Sequence, residues 1–517
     1  MKKILAFILS LVILLGTFSV VSFADDKTET YQECILSAVH NMKEEVVLSD
    51  FNAPVEEVQN FIDYVFYQYP EYYYFAGITG GRVDSQGYVK TLNFAYDRTK
   101  EQMLEERSFM ESETDKVINK IGKDWSEMEK ALFVHDWIDV SFMYDYDLFE
   151  QPGTENHDIV GFLKDKRGVC QSYAYTFIYI MHRLGMNAYY VMSETDNHGW
   201  NVVQIDGNWY HVDATYDDPI LDSTYHYDYV GEVRHNKFLL SDSEIIADGK
   251  HDDFYIPAVD GITCGEFKGN DSWRTATTAV HKVGDYWYYL DNSKDAGGFM
   301  RTKDFKNTER LMEIGYYVEQ WGFYGWMNGN KVQGTYFAGM FEYNGHLFFN
   351  DESNIYVYDS HHNVFKKLPI DKPEGKVYYG LNMNGKTITY LASADDLFEN
   401  VVEGSYTLGV EIVHLSTDWE VIKEPTATED GEKVKYCFFC AEVVETQTIP
   451  ALSNVELLGD ANGDGEVSTS DLAIEKLFLS GSHTVEINKF ADVNKDGKVS
   501  TDDLAMLKLF LAGAIKF

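Results

Sequence analysis

Apolar residues at helical spacing begin directly after Gly168-Val169-Cys170-Gln171-Ser172-Tyr173-Ala174 and continue to about Leu184. The pattern predicts a helix with Cys170 in its first turn. The period then changes to two. Val202 to Ile205 and Asn208 to Val212 flank Asp206-Gly207, a two-residue hairpin signal. If Ile205 pairs with Asn208, paired residue numbers sum to 413, Asp213 faces Trp200 and His198 faces Thr215. His198 and Asp213 become diagonal neighbours on one face, roughly 7–8 Å apart at the backbone.

Upstream, Tyr31 to Val46 reads as a helix, and Val55 to Tyr69 as a second with Val55, Val58, Phe61, Ile62 and Val65 on one side. The run from Pro70 to Phe75 turns into a strand region, Tyr88 to Tyr96 alternates as a strand, and residues 98–121 are charged and helical. Ser126 to Met143 forms an amphipathic helix carrying Leu132, Phe133, Trp137 and Ile138, with His135 read as structural. After residue 245, short apolar-aromatic runs (284–291, 344–350, 354–359, 384–390) are separated by Gly, Asn and Asp turns. They read as loosely repeated β-hairpins, propeller-like in rhythm but too few and irregular for a full propeller. This all-β module either binds or presents substrate, or spaces the domains.

Lys2-Lys3, the apolar run Ile4 to Val21 and Ser22-Phe23-Ala24 predict a cleaved secretory signal over 1–24 rather than a membrane anchor. At 517 residues the chain holds several domains. Its net charge of −41 repels nucleic acid and anionic surfaces and supplies oxygen ligands for calcium. The 15 % aromatic content suits strand-rich extracellular domains. Five cysteines (Cys34, Cys170, Cys264, Cys437, Cys440) leave at least one thiol unpaired and do not make a disulfide scaffold.

Cys170 at a helix N-terminus sits where free N–H groups and the helix dipole favour a thiolate and a developing oxyanion. With His198 to take its proton and Asp213 to orient the imidazole, the three make a candidate nucleophilic triad. His211, on the Asp213 face, and Asp217 and Asp218, close by, are substitute partners. Tyr144 or Gln171 could donate the second oxyanion hydrogen bond. No convincing carboxylate pair for glycosidase chemistry is present.

The set Gly168-Val169-Cys170, Leu184-Gly185-Met186, His198-Gly-Trp-Asn-Val, Trp209-x-x-Val212-Asp213-Ala-Thr and Asn236 to Asp242 resembles the transglutaminase-like superfamily, which shares its core with papain-like cysteine peptidases. The resemblance covers about residues 120–245 and implies a Cys-His-Asp site acting on an amide or related acyl group. It leaves water or an amine as acceptor. Residues 411–452 resemble a short repeat of multidomain secreted bacterial proteins. A zinc set of His414, Cys437 and Cys440 lacks a fourth ligand, because Ala427 stands where such repeats often carry another cysteine, so a linker-like β module is expected.

The C-terminus carries two loops 32 residues apart. The first offers Asp460, Asn462, Asp464, the Glu466 carbonyl, Ser468 and Asp471. The second offers Asp492, Asn494, Asp496, the Lys498 carbonyl, Ser500 and Asp503. Oxygen groups at positions 1, 3, 5, 7, 9 and 12 with glycine at 6 are an EF-hand type calcium loop, here with Asp at 12. Helices from Leu472 to Leu479 and Leu504 to Leu511 follow. Loop and helix, duplicated, closely resemble a type I dockerin over 458–515. The resemblance implies two structural Ca2+ ions and docking to a cohesin of a scaffolding protein. Carried over by position, the recognition residues are Thr469, Ser470, Lys476 and Leu477, and Thr501, Asp502, Lys508 and Leu509. The repeat suggests two docking orientations, although Asp502 differs from Ser470.

The expected architecture is multidomain α+β. It comprises a signal (1–24), an α+β lead-in (25–115), a papain/transglutaminase-like α+β core (116–245), an all-β module (246–410), a small β repeat (411–452) and an all-α calcium-binding dockerin (458–517). The expected function is a secreted, cellulosome-associated cysteine peptidase or amidase without a catalytic cofactor. The alternatives are a catalytically silent binding module, an accessory protein in polysaccharide degradation and an acyl-transferring transglutaminase.

Overall fold

The computed structural model describes residues 30–145, 156–218, 231–291, 297–314, 317–318, 324–327, 330–333, 335–336, 338–360, 363–394, 401–408, 419–426, 429–436, 443–451, 457–481 and 485–517. The signal segment, His414, Ala427, Cys437 and Cys440 lie outside the described residues. The chain divides between Tyr406 and Thr407 into two compact units.

The first unit opens with helix α1 (Tyr31–His40), started by a reciprocal Thr30–Glu33 capping box. It stops short of the predicted Val46. Asn41 caps it, Met42 turns the chain at φ 49°, and Glu45–Val47 leaves as strand β1. Helix α2 (Val55–Gln68) follows Pro54, and a 3-10 turn over Pro70–Tyr72 leads into strand β2 (Phe75–Val83). Strand β3 (Val89–Tyr96) lies between β1 and β2 in an antiparallel sheet. Helix α3 (Lys100–Ile118) carries the charged stretch.

Helix α4 (Glu127–Ser141) starts on a Ser126–Glu129 capping box and ends at Phe142. Its end precedes the predicted Met143, because Met143 and Tyr144 (β4) pair in parallel with Arg167 and Gly168 (β5). Between them lies α5 (Ile159–Asp165). Helix α6 (Cys170–Arg183) is buried without a break from Ser172 to Met181. A helix covered all round must satisfy its polar side chains internally. Ser172 Oγ donates to the Val169 carbonyl at 2.7 Å and Thr176 Oγ1 to the Ser172 carbonyl at 2.8 Å. Each buried Phe, Ile or Met of this helix contributes about 1.5–3 kcal/mol.

Against α6 lies an antiparallel sheet in the order β6 (Ala188–Ser193), β7 (His198–Ile205), β8 (Asn208–Val212), β9 (Phe238–Leu240). The β7–β8 register runs from Ile205↔Asn208 to Asn201↔Val212, the pairing sum of 413 read from the sequence. Asp206 (φ 49°) and Gly207 (φ 80°) make the turn. Helix α7 (Ala214–Asp217) leaves β8, and α8 (Asp242–Ile245) leaves β9.

The all-β region contains two four-stranded antiparallel meanders, 281–312 and 340–367, and a three-stranded sheet within 377–407. Its aromatic residues build its core, with Trp287, Tyr288, Tyr289, Phe299, Phe349 and Tyr358 all buried. The Trp287 indole donates to Glu129 on α4 at 2.7 Å.

The second unit contains a three-stranded antiparallel sheet (Glu420–Lys423, Gly431–Tyr436, Val443–Ile449) and helices α9 (Thr469–Leu479) and α10 (Thr501–Leu511). Each helix begins three residues before the predicted start. Ser468 and Ser500 are the N-caps, boxed by Asp471 and Asp503.

Candidate active site

Three elements meet around Cys170. The thiol opens α6 behind the extended cap Val169 and is partly exposed. Gly168 has no room for a side chain, since a Cβ there would lie 2.3 Å from Ser172 Oγ and 2.6 Å from a Phe162 ring carbon. His198 opens β7 and is 9 % exposed. Gly199 beside it is equally constrained, a Cβ there falling 2.1 Å from the Tyr190 hydroxyl. Asn201 Nδ2 donates to the Ala174 carbonyl at 3.1 Å and fixes β7 against α6. Asp213 lies just past the end of β8, fully buried, as the N-cap of α7.

His198 Nε2 donates to Asp213 Oδ2 at 2.6 Å, and Cys170 stands close enough to the imidazole to favour its charged form. With Nε2 on the carboxylate, Nδ1 is the nitrogen left for sulfur. Asp213 Oδ1 accepts the Thr215 and Tyr216 amides at 3.0 and 3.3 Å. Burial opposes a charged His198, but the charge and hydrogen bond of Asp213, with smaller contributions from Cys170, push it up to about 10. Burial likewise opposes the Asp213 carboxylate, and His198 with His251 overcomes this and holds it well below the usual range.

The sequence did not point to His251. Its Nε2 donates to the same Asp213 Oδ2 at 2.8 Å, and its ring lies edge-on to Trp200 with centroids 4.8 Å apart. No period or short motif marks it, because it reaches Asp213 from a turn 38 residues away.

The substitute partners are engaged elsewhere. His211 bonds Asp242 Oδ1 at 3.0 Å through Nε2 and accepts the Trp200 indole at 3.0 Å on Nδ1. Asp217 accepts the Asn236 and Lys237 amides, and Asp218 the Tyr173 hydroxyl at 2.6 Å. Of the two oxyanion candidates, Gln171 gives its amide to Tyr175 at 3.0 Å. Tyr144 stands close enough to Cys170 and Asp213 for their charges, after burial, to push its phenol above the ordinary range. Among the described residues, Cys170 and Cys264 are free thiols.

The dockerin-like loops fit calcium. Asp460, Asp464 and Asp471 bring ligand oxygens within 4.8 Å of one another. The Asp460 carboxylate accepts the Gly463, Asp464 and Gly465 amides, which curls the loop around it. Asp492 does the same with Asp496 and Gly497. Gly465 (φ 90°) and Gly497 (φ 89°) occupy the sharp turn of position 6. Asp471 and Asp503 each close their loop onto the amide of position 3, Asn462 and Asn494. Thr469, Ser470, Lys476, Leu477, Thr501, Asp502, Lys508 and Leu509 are all exposed, Leu477 and Leu509 unusually so for leucine at 49 % and 46 %.

A helix-borne thiol facing an antiparallel sheet that carries imidazole and carboxylate is the arrangement of a transglutaminase-like core. Residues 115–214 match the Transglutaminase-like superfamily, and residues 458–512 match the Dockerin type I domain. The chain thus carries a transglutaminase-like core and a C-terminal type I dockerin, a pairing that supports a cellulosome-type enzyme or module. No curated protein matches it. Among solved structures, a crystal structure of a TGase is similar over 29 % of this chain and 46 % of its own, at 13 % identity and a TM-score of 0.21. A Cytophaga hutchinsonii protein provisionally named a cysteine protease is similar over 26 % and 61 %, at 18 % identity and a TM-score of 0.17. The chain spans less than two thirds of either. Among the described residues, no helix is long and apolar enough to cross a membrane.

Proposed function

We propose that this is a secreted, cellulosome-associated cysteine enzyme that hydrolyses a peptide or amide bond through Cys170, His198 and Asp213. The observation that carries the reading is the placement of His198, bonded to Asp213 at 2.6 Å and close enough to Cys170 for the two to influence each other's charge. His198, charged in the resting site, already holds the proton that the thiol gives up, and Sγ adds to the substrate carbonyl carbon. The helix N-terminus at Cys170 receives the developing oxyanion. Collapse breaks the C–N bond, and His198 returns the proton to the leaving amine. Water, deprotonated by the same imidazole, then adds to the thioester and releases the acid and the free thiol. Water is the favoured acceptor because it is abundant outside the cell and no residue pattern marks an amine site.

In the same reading the dockerin folds on two calcium ions, held by Asp460, Asn462, Asp464, Glu466, Ser468 and Asp471 and by Asp492, Asn494, Asp496, Lys498, Ser500 and Asp503. It presents Thr469, Ser470, Lys476 and Leu477, or their second-repeat equivalents, to a cohesin.

A panel of peptides and amides tests the enzyme reading, with acid release and incorporation of a labelled amine read side by side. Acid release should vanish in Cys170→Ala and fall by about two to four orders of magnitude in His198→Ala. Turnover that survives Cys170→Ala and needs a carboxylate would overturn it.

A further inference from the structure

The sheet face that packs on α6 carries a phenol to which the triad reading gives no role. Tyr190 in β6 pairs with Asn201 in β7, and Met192 pairs with Gly199. Paired residues share a face, so Tyr190, Asn201 and Gly199 lie on the same side. Asn201 bonds the Ala174 carbonyl, which sets that side against α6 one turn in from Cys170. From this level the Tyr190 ring runs across Gly199, where a Cβ would fall 2.1 Å from its hydroxyl and 2.6 Å from two ring carbons. Gly199 adjoins His198. The hydroxyl therefore reaches from the level of Ala174 toward the end of the sheet that holds His198 and the first turn of α6.

Tyr190 is held rigidly. Its N–H donates to Gln68 Oε1 at 2.7 Å, and Gln68 Nε2 donates to the Tyr190 carbonyl at 3.3 Å and the Pro257 carbonyl at 2.9 Å. Gln68 ends α2 and is fully buried. Its amide serves the free edge of β6 as a further strand would. The ring lies parallel to Tyr67 with centroids 6.5 Å apart, and tilted against Tyr175 at 5.1 Å.

Only the hydroxyl is left over. Tyr190 is 6 % exposed, and among the described residues no protein group bonds its phenol oxygen. Nor is that oxygen sealed in the core with the unpaired polar atoms of the fold. The neighbouring Tyr175 phenol, in contrast, accepts the Gln171 amide. Burial, then Tyr175, then Cys170 push the Tyr190 phenol above its ordinary range, so it keeps its proton beside the thiol. A buried tyrosine usually finds a partner for its hydroxyl. A fixed donor without one, next to a nucleophile, is preorganised for an acceptor that arrives with the substrate.

We propose, on the nucleophilic reading of Cys170, that the Tyr190 hydroxyl is the second oxyanion donor of the candidate active site, acting with the Cys170 amide. As the thiolate bonds the carbonyl carbon, the π pair of the C=O bond moves onto oxygen, and that oxygen accepts the Tyr190 O–H. The phenol proton stays on Tyr190. Collapse returns the pair to carbon and expels the leaving group.

Two reagents separate thiolate from oxyanion. p-Nitrophenyl acetate acylates a thiolate through a tetrahedral oxyanion and releases p-nitrophenolate. Iodoacetamide alkylates it by displacement of iodide at the methylene carbon, with no oxyanion. Both rates are read at Cys170 by mass spectrometry of the full chain in calcium, for wild type and Tyr190→Phe, with Cys170→Ala as the blank. Tyr190→Phe keeps the ring and removes an oxygen that bonds no protein group, so Tm should not fall. The expected result is acylation slowed on the order of a hundredfold in Tyr190→Phe, with alkylation at the wild-type rate. Acylation of Tyr190→Phe as fast as wild type would overturn the proposal. Equal slowing toward both reagents would also overturn it, because Tyr190 would then support the thiolate and not the oxyanion. Wild-type Cys170 inert to both reagents would overturn the triad reading itself, and the oxyanion donor with it, so the two failures are distinct.

Discussion

Asp213 receives four hydrogen bonds, two from backbone amides and two from imidazoles, so both of its oxygens are fixed before substrate arrives. His198 and Asp213 were legible in the sequence because they flank a tight hairpin at Asp206 and Gly207. The ladder stops at Asn201↔Val212, however, so Asp213 meets His198 from the cap of α7 and not from a strand position facing Trp200, and Thr215 lies in α7 instead of facing His198. His251 was not legible, since its contact is tertiary and arrives through an irregular segment. Its part is tested by His251→Leu, which removes one of two imidazole donors and should slow Cys170 alkylation by about tenfold, one hydrogen bond to a charged group. An unchanged rate would mean that His198 and the amides suffice. The electrostatics also carry a pH signature. The pKa of His198 in the folded chain, about 10, lies above its ordinary value of 6.5. The stabilisation is therefore complete below about pH 6.5 and is lost as pH rises through about 10. Between pH 7 and 10 the Tm of wild type should fall more steeply than that of His198→Gln. Parallel curves would contradict the strong pairing with Asp213.

At the scale of elements, periodicity placed α2, α4, α6 and the β7–β8 hairpin closely and erred mainly at ends. Capping chemistry and tertiary pairing decide ends. Asn41 and Met42 cut α1 short so that Val46 could pair with Leu92, and Met143 left α4 to pair with Arg167. Close packing also leaves single-residue constraints that no pattern shows. Gly199→Ala would drive a methyl into the Tyr190 hydroxyl and should destabilise the first unit by about 1–3 kcal/mol. Tyr190→Phe should recover part of that loss in the double variant, as read by denaturant titration. A neutral Gly199→Ala would show that β6 and β7 separate more readily than their register implies.

For the whole molecule, the division between Tyr406 and Thr407 separates the transglutaminase-like core from the calcium-binding end. Chelation with EGTA, selective for calcium, should unfold 458–515 and abolish cohesin binding while leaving the main transition of the first unit in place. Calcium at a thousand times its Kd adds about 4 kcal/mol per site that only the folded loops can bind. An EGTA-treated chain that still binds cohesin would contradict calcium-dependent docking. Substrate and acyl acceptor are not legible in the sequence, because they depend on surface shape around Cys170 rather than on spacing. The most direct measurement is alkylation of each cysteine by iodoacetamide from pH 5 to 9, read by mass spectrometry in wild type and His198→Ala, with the other four cysteines as internal controls. The predicted result is that Cys170 alone reacts well below pH 7 and slows when His198 is removed. If Cys170 behaves as an ordinary thiol in both proteins, the nucleophile is not activated, and the chain is a docked binding module rather than an enzyme.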